Sequence, residues 1–131
     1  MKRDLNSLIL TRQELQIMKV VWEKGSVTVR EVCQVISARK PTAYTTILTL
    51  MGILEEKGAL SHVRAGRAYL YRPLLSSQQA MHNQVHDIIA RLFEGSPEKL
   101  IEHVLDNEMA EADQLLNVRR ILETRCHEQV A

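Results

Sequence analysis

No apolar run in this 131-residue chain approaches the length needed to cross a bilayer, and the N-terminus is polar. A membrane span and a signal peptide are thereby excluded, and the expectation is a soluble, cytoplasmic chain with no membrane partner. Only two cysteines occur, Cys33 and Cys126, too few for a disulfide framework. No glycine-rich phosphate loop, Gly-x-Ser-x-Gly pattern or nucleophile–base–orienter set is present. Neither an enzyme nor a cofactor is expected. His82 and His86 have the i, i+4 spacing of metal ligands but lack both a third ligand and the glutamate of His-Glu-x-x-His. An interface or solvated stripe accounts for them, and no metal is expected.

A strong net charge is also missing, the total being +1. Its distribution is uneven. Residues 1–75 hold 12 of the 17 Lys and Arg but 6 of the 16 Asp and Glu, whereas residues 76–131 hold the other 5 and 10. A basic half joined to an acidic half fits a polyanion-binding module, residues 1–75, followed by a module with another task, residues 76–131.

Thr11-Arg-Gln-Glu14 and Thr28-Val-Arg-Glu31 are two capping boxes. The first opens a helix to about residue 24 that turns Leu15, Met18, Val21 and Trp22 inward and stops at Gly25. The second opens a shorter helix to about residue 38, with Val29, Val32, Cys33 and Ile36 inward. Val27, just before it, can add a short strand to a sheet.

Arg39, Lys40 and Pro41 then lead into residues 42–58, the stretch with the most unusual surface. Pro41 and Thr42 read as a helix start and Gly58 as its stop. Tyr44, Ile47, Leu50, Met51 and Leu54 recur at helical spacing and give one face to a core. The other face carries Thr42, Thr45, Thr46, Thr49 and Gly52, poor helix formers where a solvated face would carry Glu, Lys and Gln. A small, hydroxyl-bearing face at a helix N-terminus suits close approach by DNA, whose base edges, thymine methyls and phosphates such a face can meet. A plain core helix with tolerated threonines is the other reading of the same residues. Two short helices, a brief turn and this third helix form a helix-turn-helix pattern.

Residues 59–63 and 68–72 alternate as strands around Arg64-Ala-Gly-Arg67, with Gly66 supplying the turn. The hairpin forms a wing whose Arg64 and Arg67 can reach phosphates or the minor groove; a solvated hairpin tip is the other reading of the same two residues. Pro73 breaks it off. Ser76 or Ser77 caps a helix to about residue 94 with Met81, Val85, Ile88, Ile89, Leu92 and Phe93 apolar. After Gly95-Ser96-Pro97 comes a helix carrying Leu100, Ile101, Val104 and Leu105. A last one, roughly residues 110–125, carries Leu115, Leu116, Val118, Ile121 and Leu122. About 55 residues in three amphipathic helices enclose too little interior to stand alone, so their stripes are expected to close against a second copy. The fold expected is mainly α with a small β-hairpin wing: a winged helix-turn-helix followed by a three-helix dimerisation module.

In this order the chain resembles the penicillinase repressor family (the BlaI/MecI/CopY type) over roughly residues 10–125. The residues that carry the likeness are Leu10-Thr-Arg-Gln-Glu-Leu-Gln-Ile-Met-Lys-Val-Val-Trp22, Ala43-Tyr-Thr-Thr-Ile-Leu-Thr-Leu50, Glu55-Glu-Lys-Gly58, Gly66-Arg-Ala-Tyr-Leu-Tyr71 and Leu92-Phe-Glu-Gly-Ser96. The resemblance implies a homodimeric repressor that binds a palindromic double-stranded operator. It implies Thr42, Ala43, Thr45 and Thr46 in the major groove, with Thr49 on the same face and Tyr44 supporting the helix or backbone contacts. Arg39, Lys40, Arg64 and Arg67 would meet the DNA backbone or minor groove. Dimerisation would fall to Ile88, Ile89, Leu92, Phe93, Leu100, Ile101, Val104, Leu105, Leu115, Val118, Ile121 and Leu122. An upstream sensor protein is implied as a further partner, but the Asn-Phe pair cleaved in antibiotic-resistance repressors aligns with His103-Val104. The tail offers Cys126-His127 where copper-responsive members carry a cysteine cluster. A winged-helix module that docks on proteins without reading DNA is the alternative, and a small-ligand sensor a third reading.

Overall fold

The computed structural model describes residues 5–130 and places six helices and one hairpin in the order α1 (Arg12–Lys24), α2 (Val29–Arg39), α3 (Tyr44–Lys57), β1 (Leu60–Ala65), β2 (Ala68–Pro73), α4 (Ser77–Leu92), α5 (Pro97–Asp106) and α6 (Ala112–Val130). The mainly helical class with a two-stranded wing is the one expected. Two compact units divide between Asp87 and Ile88.

In the first unit both capping boxes form. The Thr11 hydroxyl accepts from the Glu14 N–H at 3.2 Å while the Glu14 carboxylate accepts from the Thr11 N–H at 2.8 Å, and Thr28 and Glu31 repeat the exchange. The helices they open bury Ile17, Met18, Val20 and Val21 from α1 and Val29 and Val32 from α2. Against these pack Ile47, Met51 and Leu54 of α3, which recur at i, i+4 and i+7, together with Leu60 and Tyr71 of the wing. Each fully buried aliphatic side chain contributes about 1.5–3 kcal/mol. Trp22 lies at the edge of this core and fixes its ring by donating from its indole N–H to the Leu75 carbonyl at 2.8 Å.

Helix α3 starts later than the sequence implies. Pro41, Thr42 and Ala43 form the connection, Ala43 is the N-cap, and Thr42 lies outside the helix. The reason is local: the Thr42 hydroxyl donates back to the Lys40 carbonyl at 2.9 Å, and Ser37 Oγ donates to the Thr42 carbonyl at 3.0 Å, so this residue closes the turn onto α2. At the other end Gly58 stops α3 at φ +92°, a left-handed conformation that favours glycine.

The wing is also tighter than expected. Its register pairs Leu60 with Pro73 and Ala65 with Ala68, leaving a two-residue turn, Gly66-Arg67. Gly66 has φ +65° at the first central position, where a type II′ turn requires it. Arg64 therefore belongs to β1, opposite Tyr69, and only Arg67 sits in the turn. Val27 bridges Tyr71 with reciprocal bonds of 3.0 and 2.7 Å, adding a third strand-like segment at the base, as its position before α2 suggests.

The first half of α4 belongs to the same unit. Asn83, 3% exposed, donates to the carbonyls of Leu5 (2.8 Å) and Leu8 (2.9 Å) and accepts from Gln79 at 2.8 Å, while Gln84 donates to the Leu10 carbonyl. These amides strap the segment before α1 to α4 and bring Leu8 and Leu10 into the core. Asn83→Ala orphans both carbonyls. It is expected to destabilise the unit by about 2 kcal/mol, read by denaturant unfolding, and to speed proteolysis within residues 5–10. Unchanged stability would mean that water replaces the amide at no cost.

In the second unit Ser96 caps α5, its hydroxyl accepting from the Lys99 N–H at 3.3 Å, with Pro97 in the first turn. Phe93 packs edge-on to His103 at 5.7 Å between ring centres. Helix α6 begins at Ala112 and continues beyond residue 125, the end implied by its apolar stripe. Gln114 makes the start, its side chain accepting from the Glu111 N–H at 2.8 Å. No residue of α5 is buried, and every described side chain of α6 is exposed.

Candidate nucleic-acid interface

The turn between α2 and α3 is rigid for the reasons given above, and Cys33 adds an Sγ contact of 3.7 Å to the Thr42 carbonyl. Cys33 is half-buried beneath the turn, while Cys126 is exposed. This turn aims the first residues of α3 outward. Tyr44, Thr45, Thr46 and Thr49 are exposed, Thr42 is half-buried, and a side chain at Gly52 would meet only open space. Ala43 has no side-chain oxygen, so the first turn of α3 has no side-chain cap and keeps N–H groups directed outward. Among the described residues no carboxylate pairs with Arg39 or Lys40, which stand exposed on one side of this N-terminus.

Tyr44, which its helical spacing assigns to the core face, does not join the core; it is 50% exposed. With α3 beginning at Tyr44 itself, its ring lies in the first turn, above the layer formed by Ile47, Met51 and Leu54.

On the wing, Arg64 and Arg67 are exposed, and Arg64 Nε donates to the Gly66 carbonyl at 3.3 Å. The wing is fastened to α3 by His62, whose Nδ1 lies 2.5 Å from Glu55 Oε2 and whose ring packs at 4.5 and 5.3 Å from Tyr69 and Tyr71. Burial raises the Tyr71 phenol above its ordinary value, and the Glu55 carboxylate adds to the effect. The structure thus brings the Thr-bearing start of α3 and Arg39 and Lys40 onto one turn, with Arg64 and Arg67 on a wing tied to the same helix.

Two features escape the pattern reading. Glu14, 2% exposed, lies 2.7 Å from Lys57 Nζ, so the carboxylate that caps α1 also receives a cation from the end of α3. Burial pushes the Glu14 pKa up, but the Lys57 ammonium and the hydrogen bonds from Thr11 outweigh burial and hold it below its ordinary value. Its place three residues before Ile17 and seven before Val21, on the core stripe, is the signal for it. Asn83 is the other, three residues beyond the buried Ala80.

His82 and His86 stack with ring centres 6.0 Å apart on an exposed face, and no group of three metal-binding side chains forms among the described residues. His103 and Val104 lie within α5, the first exposed and the second half-buried. No helix among the described residues is long and apolar enough to cross a membrane.

A three-helix unit with a hairpin packed at the end of its third helix is a winged helix-turn-helix, the class to which this protein belongs. A family model described as penicillinase repressor matches residues 10–124, and the chain belongs to that family. The penicillinase repressor of Bacillus licheniformis is 28% identical over 110 residues, spanning 84% of this chain and 86% of that protein. The transcriptional regulator BlaI of Mycobacterium tuberculosis is 30% identical over 111 residues, 83% of this chain and 79% of its own. The solution structure of the DNA binding domain of the repressor BlaI matches with a TM-score of 0.52 at 29% identity, covering 60% of this chain and 93% of that one. These relatives are repressors and regulators of transcription, not enzymes.

Proposed function

We propose that this chain is a dimeric transcriptional repressor that occludes a promoter by binding a palindromic operator. The observation that carries the reading is the start of α3: an exposed face of Thr45, Thr46 and Thr49 whose first turn has no side-chain cap, with Arg39 and Lys40 beside it, neither paired with a carboxylate among the described residues. The α3 N-terminus enters the major groove, where Thr45 and Thr46 contact base edges and Ala43 permits close approach. Thr42, closing the turn, and Tyr44, exposed in the first turn, face the backbone; Thr49 lies one turn deeper. Arg39, Lys40, Arg64 and Arg67 contact phosphates, which position the protein and make affinity fall with salt. The family's solved DNA binding domain supports this assignment to the first unit. An upstream sensor and the releasing signal are part of the family reading. The position aligned with the Asn-Phe cleavage pair carries His103-Val104 in this chain.

The second unit supplies the dimer. Leu92, Ile101, Leu105, Leu115, Val118, Ile121 and Leu122 are each at least 39% exposed. Ile88, Ile89, Phe93, Leu100 and Val104 are half-buried beside them. That much apolar surface on 44 residues calls for a partner, and a two-fold dimer is what a palindromic operator requires.

The test is a gel-shift assay on the intergenic DNA beside the protein's own gene, at two salt concentrations with unrelated DNA as competitor. A discrete, competition-resistant complex that weakens with salt supports the reading. Binding lost equally to unrelated DNA sinks the local-repressor claim, and no binding at low salt favours a protein-docking role. Within a binding complex, Thr46→Ala is expected to relax base preference more than it lowers non-specific affinity, read by binding-site selection. An unchanged preference removes Thr46 from base reading.

A further inference from the structure

A groove of about 700 Å³ opens in the first unit between the first turns of α1, the end of α2 and the start of α3. Its floor is apolar, formed by Ile17, Val20, Ile36 and Ile47. Its rim carries Arg12 and Gln16 from α1, Arg39 and Lys40 from the end of α2, and Thr42 and Thr46 beyond the turn. Three cations thus converge from two helices and a cap. Among the described residues no Asp or Glu lines the groove, and none of the three cations has a carboxylate partner. Glu14, the nearest acid in sequence to Arg12, is buried and engaged with Lys57.

Arg12 is placed against its own helix. It is the first residue of α1, where the macrodipole favours an acid and opposes a cation. The capping box is complete without it, and its side chain is exposed. Stability therefore gives no reason for a cation here, whereas an anion lying in the groove does.

We infer that the groove seats the sugar–phosphate backbone of bound DNA, and that Arg12 is a phosphate-contacting residue that extends the footprint from α3 onto α1. This rests on the DNA-binding reading above and adds to it a contact outside the helix-turn-helix and the wing. The groove is continuous from Thr46 to Arg12, so a strand whose bases are read by Thr46 passes next between α1 and the α2–α3 turn. Arg12 then closes on a phosphate from the side facing Arg39 and Lys40. Gln16, one turn along α1 from Arg12, offers an amide donor to the same strand.

The experiment compares full-length wild type, Arg12→Gln and Lys19→Gln on a random-sequence duplex across a salt series, with thermal unfolding of each. Lys19 is exposed on the same helix but does not line the groove, so its loss reports the effect of one fewer charge alone. Arg12→Gln is expected to weaken binding about three- to tenfold near 0.1 M salt and to flatten the log–log salt slope by about 0.9. Its Tm should be unchanged or slightly raised, because a cation leaves the positive end of a helix. Lys19→Gln should keep the wild-type slope. An Arg12→Gln slope equal to wild type, or an equal loss in Lys19→Gln, overturns the phosphate contact while leaving DNA binding standing. A wild type that binds no duplex at low salt overturns both.

Discussion

Lys57→Met is expected to destabilise the first unit by about 2–3 kcal/mol at neutral pH. The substitution keeps the aliphatic length of the side chain and removes only the cation, so Glu14 is left charged in a site where it is 2% exposed. A surface ion pair would not give an effect of this size, because water would take the place of the missing partner. Here the Thr11 N–H is the remaining donor to the carboxylate oxygen that Lys57 contacts, which is why the expected loss stays at the lower end for a broken buried pair. The pH dependence follows from the lowered Glu14 pKa. Its contribution is fully present above the ordinary carboxyl value of 4.5 and is lost as pH falls through the lower folded value. In Lys57→Met the burial is no longer offset by the ammonium, so Glu14 takes up its proton at higher pH than in the wild type. The difference between the two proteins therefore narrows in acid. Urea unfolding at neutral pH and at about pH 3.5 measures both effects. Equal stability at neutral pH would show that water reaches the carboxylate, and a gap constant with pH would show that the loss is one of packing.

This pair also marks the limit of pattern reading. The residue types of a capping box state that Thr11 and Glu14 exchange hydrogen bonds, and they do. Nothing local states that Lys57, 43 positions away, supplies the charge, since that contact exists only once α3 lies across the start of α1. The same division runs through the candidate interface. The helix-turn-helix, the wing and the buried positions Ile47, Met51 and Leu54 follow from periodicity, Gly58 and Gly66. The start of α3 does not, because the competition for the Thr42 hydroxyl between capping a helix and closing a turn is decided by Ser37 and Lys40. That shift of two residues is what brings Tyr44 into the first turn and out of the core. Arg64 moved from loop to strand for a similar reason: a two-residue turn at Gly66-Arg67 satisfies the Ala65–Ala68 pair that a four-residue tip would leave open. Arg12 was unreadable from α1 alone, because the groove that gives it a role is formed by three segments.

Ile121→Asp is expected to yield a folded monomer with strongly reduced operator affinity. Ile121 is 56% exposed in the isolated chain, so an aspartate there is solvated and leaves the protomer fold intact. In a two-fold dimer the same substitution appears twice, and any copy enclosed by the partner must give up its hydration. A cost of about 3 kcal/mol corresponds to roughly a hundredfold weaker association. Because each half-site alone holds one recognition helix and one wing, loss of the dimer removes the advantage of binding both halves together. Binding to a random-sequence duplex should fall far less than binding to the operator, which separates this variant from Arg12→Gln. Sedimentation equilibrium gives the oligomeric state, and circular dichroism checks that α6 remains helical. A variant that stays dimeric would place Ile121 outside the interface and move it to another face of the stripe. A wild type that is itself monomeric at concentrations where it binds the operator would break the link between the second unit and operator reading. The exposed apolar surface of α5 and α6 would then belong to a different partner, and the acidic balance of residues 76–131 would bear on that partner rather than on keeping this half away from DNA.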